Sequence, residues 1–319
     1  MLKYLIVQLC DTAPSFCHYY NPTTKANLMT IETLKAAIMF GMKENLNIQF
    51  VYPDYELPKE HKEAIDSIDH IDIVSFWNKD KELLDYAEIV VIDSWLDVNN
   101  RLKKDISYIL RTSKDDLFTN YTLLFDVLPV VERINIVLTD IPSFRKEDFD
   151  RYKNILEEIS DFISKEYIAS KTPQTNILTD RILLKNMNNC NAGDEVITLA
   201  PDGKFYVCPA FYLYDEKNVG DLQNGLKIKN PQLYKLGHAP ICRNCDAYQC
   251  KRCAWLNKQT TLEVNTPSHE QCVIAHLERN SSSHLLDKLI EGGLMKGFSK
   301  FNKVDYLDPM YNLPRIHLK

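Results

Sequence analysis

Four kinds of signal are missing from this chain of 319 residues. No stretch reaches the ~20 consecutive apolar residues of a membrane helix, so a membrane-spanning protein is not expected. The start, Met1 to Leu9, has no basic leader and only a short apolar run, which predicts a cytoplasmic protein without a secretory signal. Neither a GxGxxG nor a GxxxxGK[ST] stretch occurs, so the phosphate-cradling fingerprints of dinucleotide and P-loop proteins are absent. No dense basic cluster occurs either. The net charge is −6, with 38 basic against 44 acidic residues, and Arg101-Leu102-Lys103-Lys104 reads as a solvated face, so nucleic acid is not an expected partner. Internal repeats and low-complexity tracts are lacking as well. Cysteine itself is scarce over the first 189 residues, which hold only Cys10 and Cys17 of the nine in the chain. In a reducing compartment disulfides are not expected, and closely spaced cysteines point to metal or chemistry instead.

What is present begins with alternating strand and helix patterns. The apolar, β-branched run at 3–9 predicts a buried strand. Thr30 has the chemistry of a helix N-cap, and Ile31, Leu34, Ile38 and Met42 follow at helical spacing. Further strands are expected at 47–52, 71–76, 88–93 and 133–138, with a sixth candidate at 176–184. A long helix over 146–167 carries Phe149, Tyr152, Ile155, Ile159 and Phe162 on one side. Strand–helix alternation implies a parallel sheet covered by helices. Six units predict an α/β fold of the partial (β/α)6 barrel type, with a doubly wound sheet as the alternative.

Near Asn186 the pattern changes to turns and cysteines. Residues 196–200, the Asp202-Gly203 turn and residues 205–208 predict a β-hairpin with Cys208 on its returning strand. A helix is expected over 273–290, and 291–319 forms an irregular tail. The organisation read from the sequence is therefore an α/β domain over 1–185, a cysteine-rich domain over 186–290 and a tail over 291–319.

Seven of the nine cysteines fall in that second region, in the order Cys190…Gly203-x4-Cys208…Cys242-x2-Cys245-x4-Cys250-x2-Cys253…Cys272. Thiolates are the preferred ligands of Zn²⁺ and of iron–sulfur clusters. A CxxC lets two sulfurs converge on one metal. One Zn²⁺ held by Cys242, Cys245, Cys250 and Cys253 is the simpler model, but it leaves Cys190, Cys208 and Cys272 unexplained. Seven cysteines divide more naturally across two clusters.

This order resembles the SPASM domain that is appended to radical SAM enzymes acting on peptides. The resemblance implies two [4Fe–4S] clusters. It places Cys190, Cys208 and Cys253 on one, with an open or non-cysteine fourth position, and Cys242, Cys245, Cys250 and Cys272 on the other. This chain has four and two residues where the family more often has five and three. Radical SAM enzymes carry CxxxCxxC after the first strand. Here that loop reads Cys10-Asp11-Thr12-Ala13-Pro14-Ser15-Phe16-Cys17-His18-Tyr19-Tyr20-Asn21. Ala13 and Tyr20 replace the outer two cysteines and Cys17 remains, so no SAM cluster and no SAM binding are expected. The end of the second strand, Phe50-Val51-Tyr52-Pro53-Asp54, also lacks the glycine-rich turn that meets SAM in the family. Phe16 to Asn21, the Cys242–Cys253 block and Pro267 to Cys272 through Glu278-Arg279 are similar to the maturases of CXXX-repeat peptide systems.

The resemblance implies a pseudo-enzyme beside a catalytic radical SAM enzyme and a ribosomally made precursor peptide. Its expected role is to present the peptide or relay electrons. The alternatives are an autonomous peptide-modifying enzyme with an open auxiliary cluster, and a zinc-stapled protein- or peptide-binding module. The sequence designates no catalytic residue. His276 is a candidate non-thiolate ligand beside Cys272, and His269 could share its helix face. Trp255 is expected to shield the metal site. Asp93, Asp140 and Asp180 near strand ends read as turn or cap residues.

Overall fold

Seven short strands lie side by side in the order in which the chain makes them. The computed structural model describes residues 2–98, 102–187, 189–295 and 297–301. The strands are β1 (Tyr4–Gln8), β2 (Asn47–Val51), β3 (Ile71–Ser75), β4 (Ile89–Ile92), β5 (Ser107–Thr112), β6 (Arg133–Leu138) and β7 (Gln174–Thr175), and each is parallel to the next. The helices are α1 (Ile31–Lys43), α2 (Lys59–Ile65), α3 (Lys81–Tyr86), α4 (Lys114–Asn120), α5 (Leu124–Val127), α6 (Lys146–Ile168), α7 (Thr179–Leu183), α8 (Pro209–Leu213), α9 (Ala254–Thr261) and α10 (His269–Glu291). Because the order runs unreversed from β1 to β7, right-handed crossovers send the helices after β1 to β6 to one face. The sheet does not close. On the other side of β1 it continues through β8 (Val196–Leu199), parallel to β1, and β9 (Phe205–Tyr206), antiparallel to β8. The hairpin that opens the cysteine-rich segment is therefore hydrogen-bonded into the main sheet. A doubly wound sheet would need a second set of crossovers beyond β1, where this sheet has only β8 and the antiparallel β9.

Period-two alternation explains how the two faces differ. Leu5, Val7, Ile48, Phe50, Val74, Val90, Tyr108 and Ile134 join the large core under the helices. Ile6, Val51, Ile73 and Val91 form a separate apolar patch on the opposite face, joined by Ala13. Farther along that face, toward β6, Gln49, Ile109, Arg133 and Asn135 line an open cavity.

Local chemistry sets several element ends. The Thr30 hydroxyl accepts from the Thr33 amide at 3.2 Å and caps α1 as expected. Its buried stripe is Leu34, Ala37, Ile38 and Gly41. Met42, expected on that stripe, is 64% exposed. The helix approaches β2 through Gly41, where a Cβ would lie 2.5 Å from Ile48. Strand β5 is not among the strands expected from the sequence. The 176–184 strand is also corrected, because the chain leaves the sheet after Thr175. The Asn176 side chain takes the place of the ladder, donating to the Ile136 carbonyl at 2.8 Å and accepting from its amide at 2.7 Å. The Thr179 hydroxyl bonds both backbone groups of Thr175 at 2.8 Å, and α7 begins there. Helix α10 starts at His269, earlier than expected, capped by the Ser268 hydroxyl. Residues 302–319 of the expected tail lie outside the described residues. Among the described residues no helix is long and apolar enough to cross a membrane.

Candidate metal centre

The loop after β1 is held by polar clamps. Asn21 Nδ2 donates to the carbonyls of Asp11 and Ala13, both at 2.8 Å. Arg111 reaches across from β5, donating to the carbonyls of Cys17 at 3.0 Å and Tyr19 at 2.7 Å while pairing with Asp93. These contacts fix Ala13 inside the apolar patch and leave Tyr20 exposed. His18 bonds the Leu138 carbonyl at 2.8 Å. Cys10 is buried apart from the other thiols, against the hydroxyls of Tyr55 and Thr12, both at 3.3 Å.

Cys17 faces the C-terminal segment. It shares a cavity of about 300 Å³ with Cys190, Cys208 and Cys253, walled by Phe16, Tyr19, Val196, Pro209 and Trp255 among others. The Leu256 amide donates to Cys253 Sγ at 3.5 Å. Burial raises the Cys190 and Cys208 thiols. The neighbouring Cys253 lowers Cys17, against its burial and aided by His18 and Arg111.

The other four cysteines, Cys242, Cys245, Cys250 and Cys272, line a narrower space of about 40 Å³. Burial pushes Cys242 up to about 11 and Cys250 up to about 12. The Ala247 amide donates to Cys245 Sγ at 3.4 Å. His276 Nε2 lies 3.6 Å from the same sulfur. His269, the other candidate histidine of this helix, packs edge-on against Phe149 instead, with ring centres 6.4 Å apart.

One residue divides the two sets. Arg252, between Cys250 and Cys253, has φ +38°, a left-handed conformation that an L side chain adopts at a cost. It turns the chain so that the two cysteines of this CxxC face different cavities. Its guanidinium is held by the Tyr234 carbonyl at 2.5 Å. The single-zinc grouping of Cys242, Cys245, Cys250 and Cys253 is thus not the one the geometry forms. Gly193 supports the same region: it has φ +84°, and a Cβ there would sit 2.6 Å from the Tyr234 ring.

Trp255 is buried, lines the first thiol cavity and packs on Tyr214, with ring centres 4.7 Å apart. Asp140 accepts from the Lys114 amide at 2.9 Å and the Ser143 hydroxyl at 3.0 Å, as a turn residue does. Asp180 pairs with Arg133 at 2.7 Å. This pair faces a cavity of about 690 Å³ on the inner side of the sheet, whose lining also includes Cys17, Cys190 and Cys250. Sequence reasoning missed Glu278 as a functional residue on this wall. Burial pushes its carboxyl up to about 7, against hydrogen bonds from Tyr152 and Gln249 that pull it down. The tract Glu278-Arg279 carries part of the family resemblance, but nothing in the sequence shows Tyr152 opposite it. Also missed was the ion network in which Asp246 accepts from Arg279 at 2.7 Å and Arg181 at 3.2 Å.

Among the described residues no three His, Cys, Asp or Glu side chains are grouped tightly enough to grip a single metal ion. Thiolates on one tetrahedral zinc lie within ~4 Å of each other, from Zn–S bonds of ~2.3 Å. A four-iron cluster spreads its thiolates wider. The first cavity, with four sulfurs, mostly apolar walls and an N–H donor to Cys253, fits such a cluster. At the second, the four-thiol donor set fits.

No family model and no curated protein matches the chain. Solved structures do resemble it. Native anSMEcpe with bound AdoMet and Cp18Cys peptide superposes with a TM-score of 0.57 at 12% identity, covering 91% of this chain and 100% of that one. A histidine-tagged form of anSMEcpe with bound AdoMet gives 0.57 at 14% identity, over 92% and 96%. Streptococcus suis SuiB bound to precursor peptide SuiA gives 0.44 at 12% identity, over 84% and 75%.

Proposed function

We propose that this chain, whose α/β fold is radical-SAM-like, does not cleave SAM. It serves in peptide maturation beside a catalytic radical SAM enzyme, holding two [4Fe–4S] clusters in its C-terminal segment.

The observation that carries this reading is the loop after β1. A SAM-binding cluster needs three thiolates there, with one iron left for the cosubstrate. In this chain the first position is Ala13, packed among Ile6, Val51, Ile73 and Val91. The third is Tyr20, 68% exposed. Cys17 stands between them and lines a cavity shared with Cys253. The end of β2 carries Tyr52-Pro53-Asp54 in place of the glycine-rich turn, and Asn78 donates to the Pro53 carbonyl at 2.9 Å.

The C-terminal residues retain the means to bind clusters. Cys190, Cys208 and Cys253 would hold one, and Cys242, Cys245, Cys250 and Cys272 the other. Bound clusters supply one-electron transfer. The division of Cys253 from Cys242, Cys245 and Cys250 between two cavities supports this over a single zinc. The chain's own residues bind and orient. The 690 Å³ cavity offers Arg133, Asn135, Gln249 and Glu278 to a peptide, and members of both thiol groups border it. The anSMEcpe structure holding both AdoMet and a peptide supports a peptide partner for this fold.

The test incubates the anaerobically reduced chain with SAM and assays 5′-deoxyadenosine. None is expected from the chain alone, and turnover would refute the reading. Binding of a precursor peptide from the same genomic neighbourhood, measured by anisotropy, is expected; its absence would count against the presenting role.

A further inference from the structure

We infer that Cys17 is the fourth thiolate ligand of the site formed by Cys190, Cys208 and Cys253. The cysteine left in the loop after β1 thereby completes the C-terminal site. This rests on the iron–sulfur reading above and deepens it, since the resemblance left that position open or non-cysteine.

Three features place Cys17 there. It lines the same 300 Å³ cavity as the other three thiols. Its backbone is held by Arg111, which grips the carbonyls of Cys17 and Tyr19 from a strand 94 residues away in sequence from Cys17. The other cysteine of the N-terminal half, Cys10, is not in the lining of that cavity and is engaged by Tyr55. The Lys251 carbonyl accepts from the Cys190 amide at 3.3 Å, tying two of the contributing loops together.

Four thiolates leave no iron open. The site is then closed to substrate, which suits electron relay or bracing of the fold and disfavours an autonomous enzyme using an open cluster. It also links the N-terminal half to the C-terminal half through the metal.

The experiment compares anaerobically purified full-length wild type with Cys17→Ala, Cys17→Ser, Cys190→Ala and Cys10→Ala, reading iron, sulfide and electron paramagnetic resonance before and after ferricyanide. A cluster held by three thiolates releases its unligated iron as Fe²⁺, passing one electron to ferricyanide. Cys17→Ala and Cys190→Ala are expected to lose about one iron in eight and to show a three-iron signal. Cys10→Ala is expected to match wild type. Cys17→Ser, which keeps an oxygen ligand and the smaller volume change, is expected to keep its iron but shift the signal of the reduced cluster. If Cys17→Ala and Cys17→Ser both match iron-loaded wild type, this inference falls and the functional reading stands. If wild type carries no iron and sulfide, both fall.

Discussion

Cys17 shows what a single side chain contributes here, and Arg111 shows what that side chain depends on. Arg111 is 8% exposed and satisfies two loop carbonyls. Arg111→Leu would leave those carbonyls unpaired, and a loss of about 2–4 kcal/mol of stability is expected. Denaturant unfolding measures it, and iron content should fall at the Cys17 site in the same sample. Arg111→Lys should recover only part, because an ammonium cannot reach three acceptors with a rigid fork. His70 supplies a pH-dependent term far from the thiols. The Asp72 carboxylate, 3.2 Å from its Nε2, raises it from its ordinary value to about 9, against the cost of burial. A raised cationic group stabilises the fold fully below its unfolded value of about 6.5 and stops doing so as pH rises through 9. Thermal melts between pH 6 and 10 should therefore show a loss, of order 1–2 kcal/mol after allowance for solvent. That loss should vanish in His70→Gln.

At the scale of elements, α10 is joined to the cysteine loop by Asp246, which binds Arg279 of α10 and Arg181 of α7. Both arginines are buried and Asp246 is partly so. Asp246→Ala would remove the carboxylate that both buried arginines share, and about 2–4 kcal/mol is expected to be lost. Circular dichroism melts check this, with iron retention reporting whether the second thiol group opens. Gly193→Ala tests the neighbouring turn: strain from its positive φ and the Tyr234 ring should cost about 1–3 kcal/mol. Much of the element pattern was legible because hydrophobic period follows burial. β1 to β4, β6, α1, α6 and the Asp-Gly hairpin all carry that signal. β5 escaped because its inner face holds Ser107 and Arg111, the latter buried for the sake of a distant loop. The run at 176–184 misled because Asn176 replaces a strand's ladder with its side chain, which no periodicity encodes. The candidate site was half legible. Spacing exposed seven clustered cysteines, but which sulfurs share a cavity depends on the left-handed Arg252 and on Cys17 arriving from the other half of the chain. Neither fact is local.

For the whole molecule, a sheet wound in one direction leaves one face free of helices after β1 to β6. That face borders a cavity of about 690 Å³ with members of both thiol groups in its lining. The proposed absence of a SAM cluster rests on the loop after β1, which has Ala13, Cys17 and Tyr20 where the resemblance calls for three cysteines. The central claim is thus a count: clusters in the C-terminal segment and none for SAM. The most direct test is the iron and acid-labile sulfide content of anaerobically purified, reconstituted wild type, with its visible spectrum. The account predicts about eight iron and eight sulfide per chain with a broad absorption near ~400 nm. About twelve of each would contradict the missing SAM cluster, and a colourless protein with one zinc would contradict the clusters themselves.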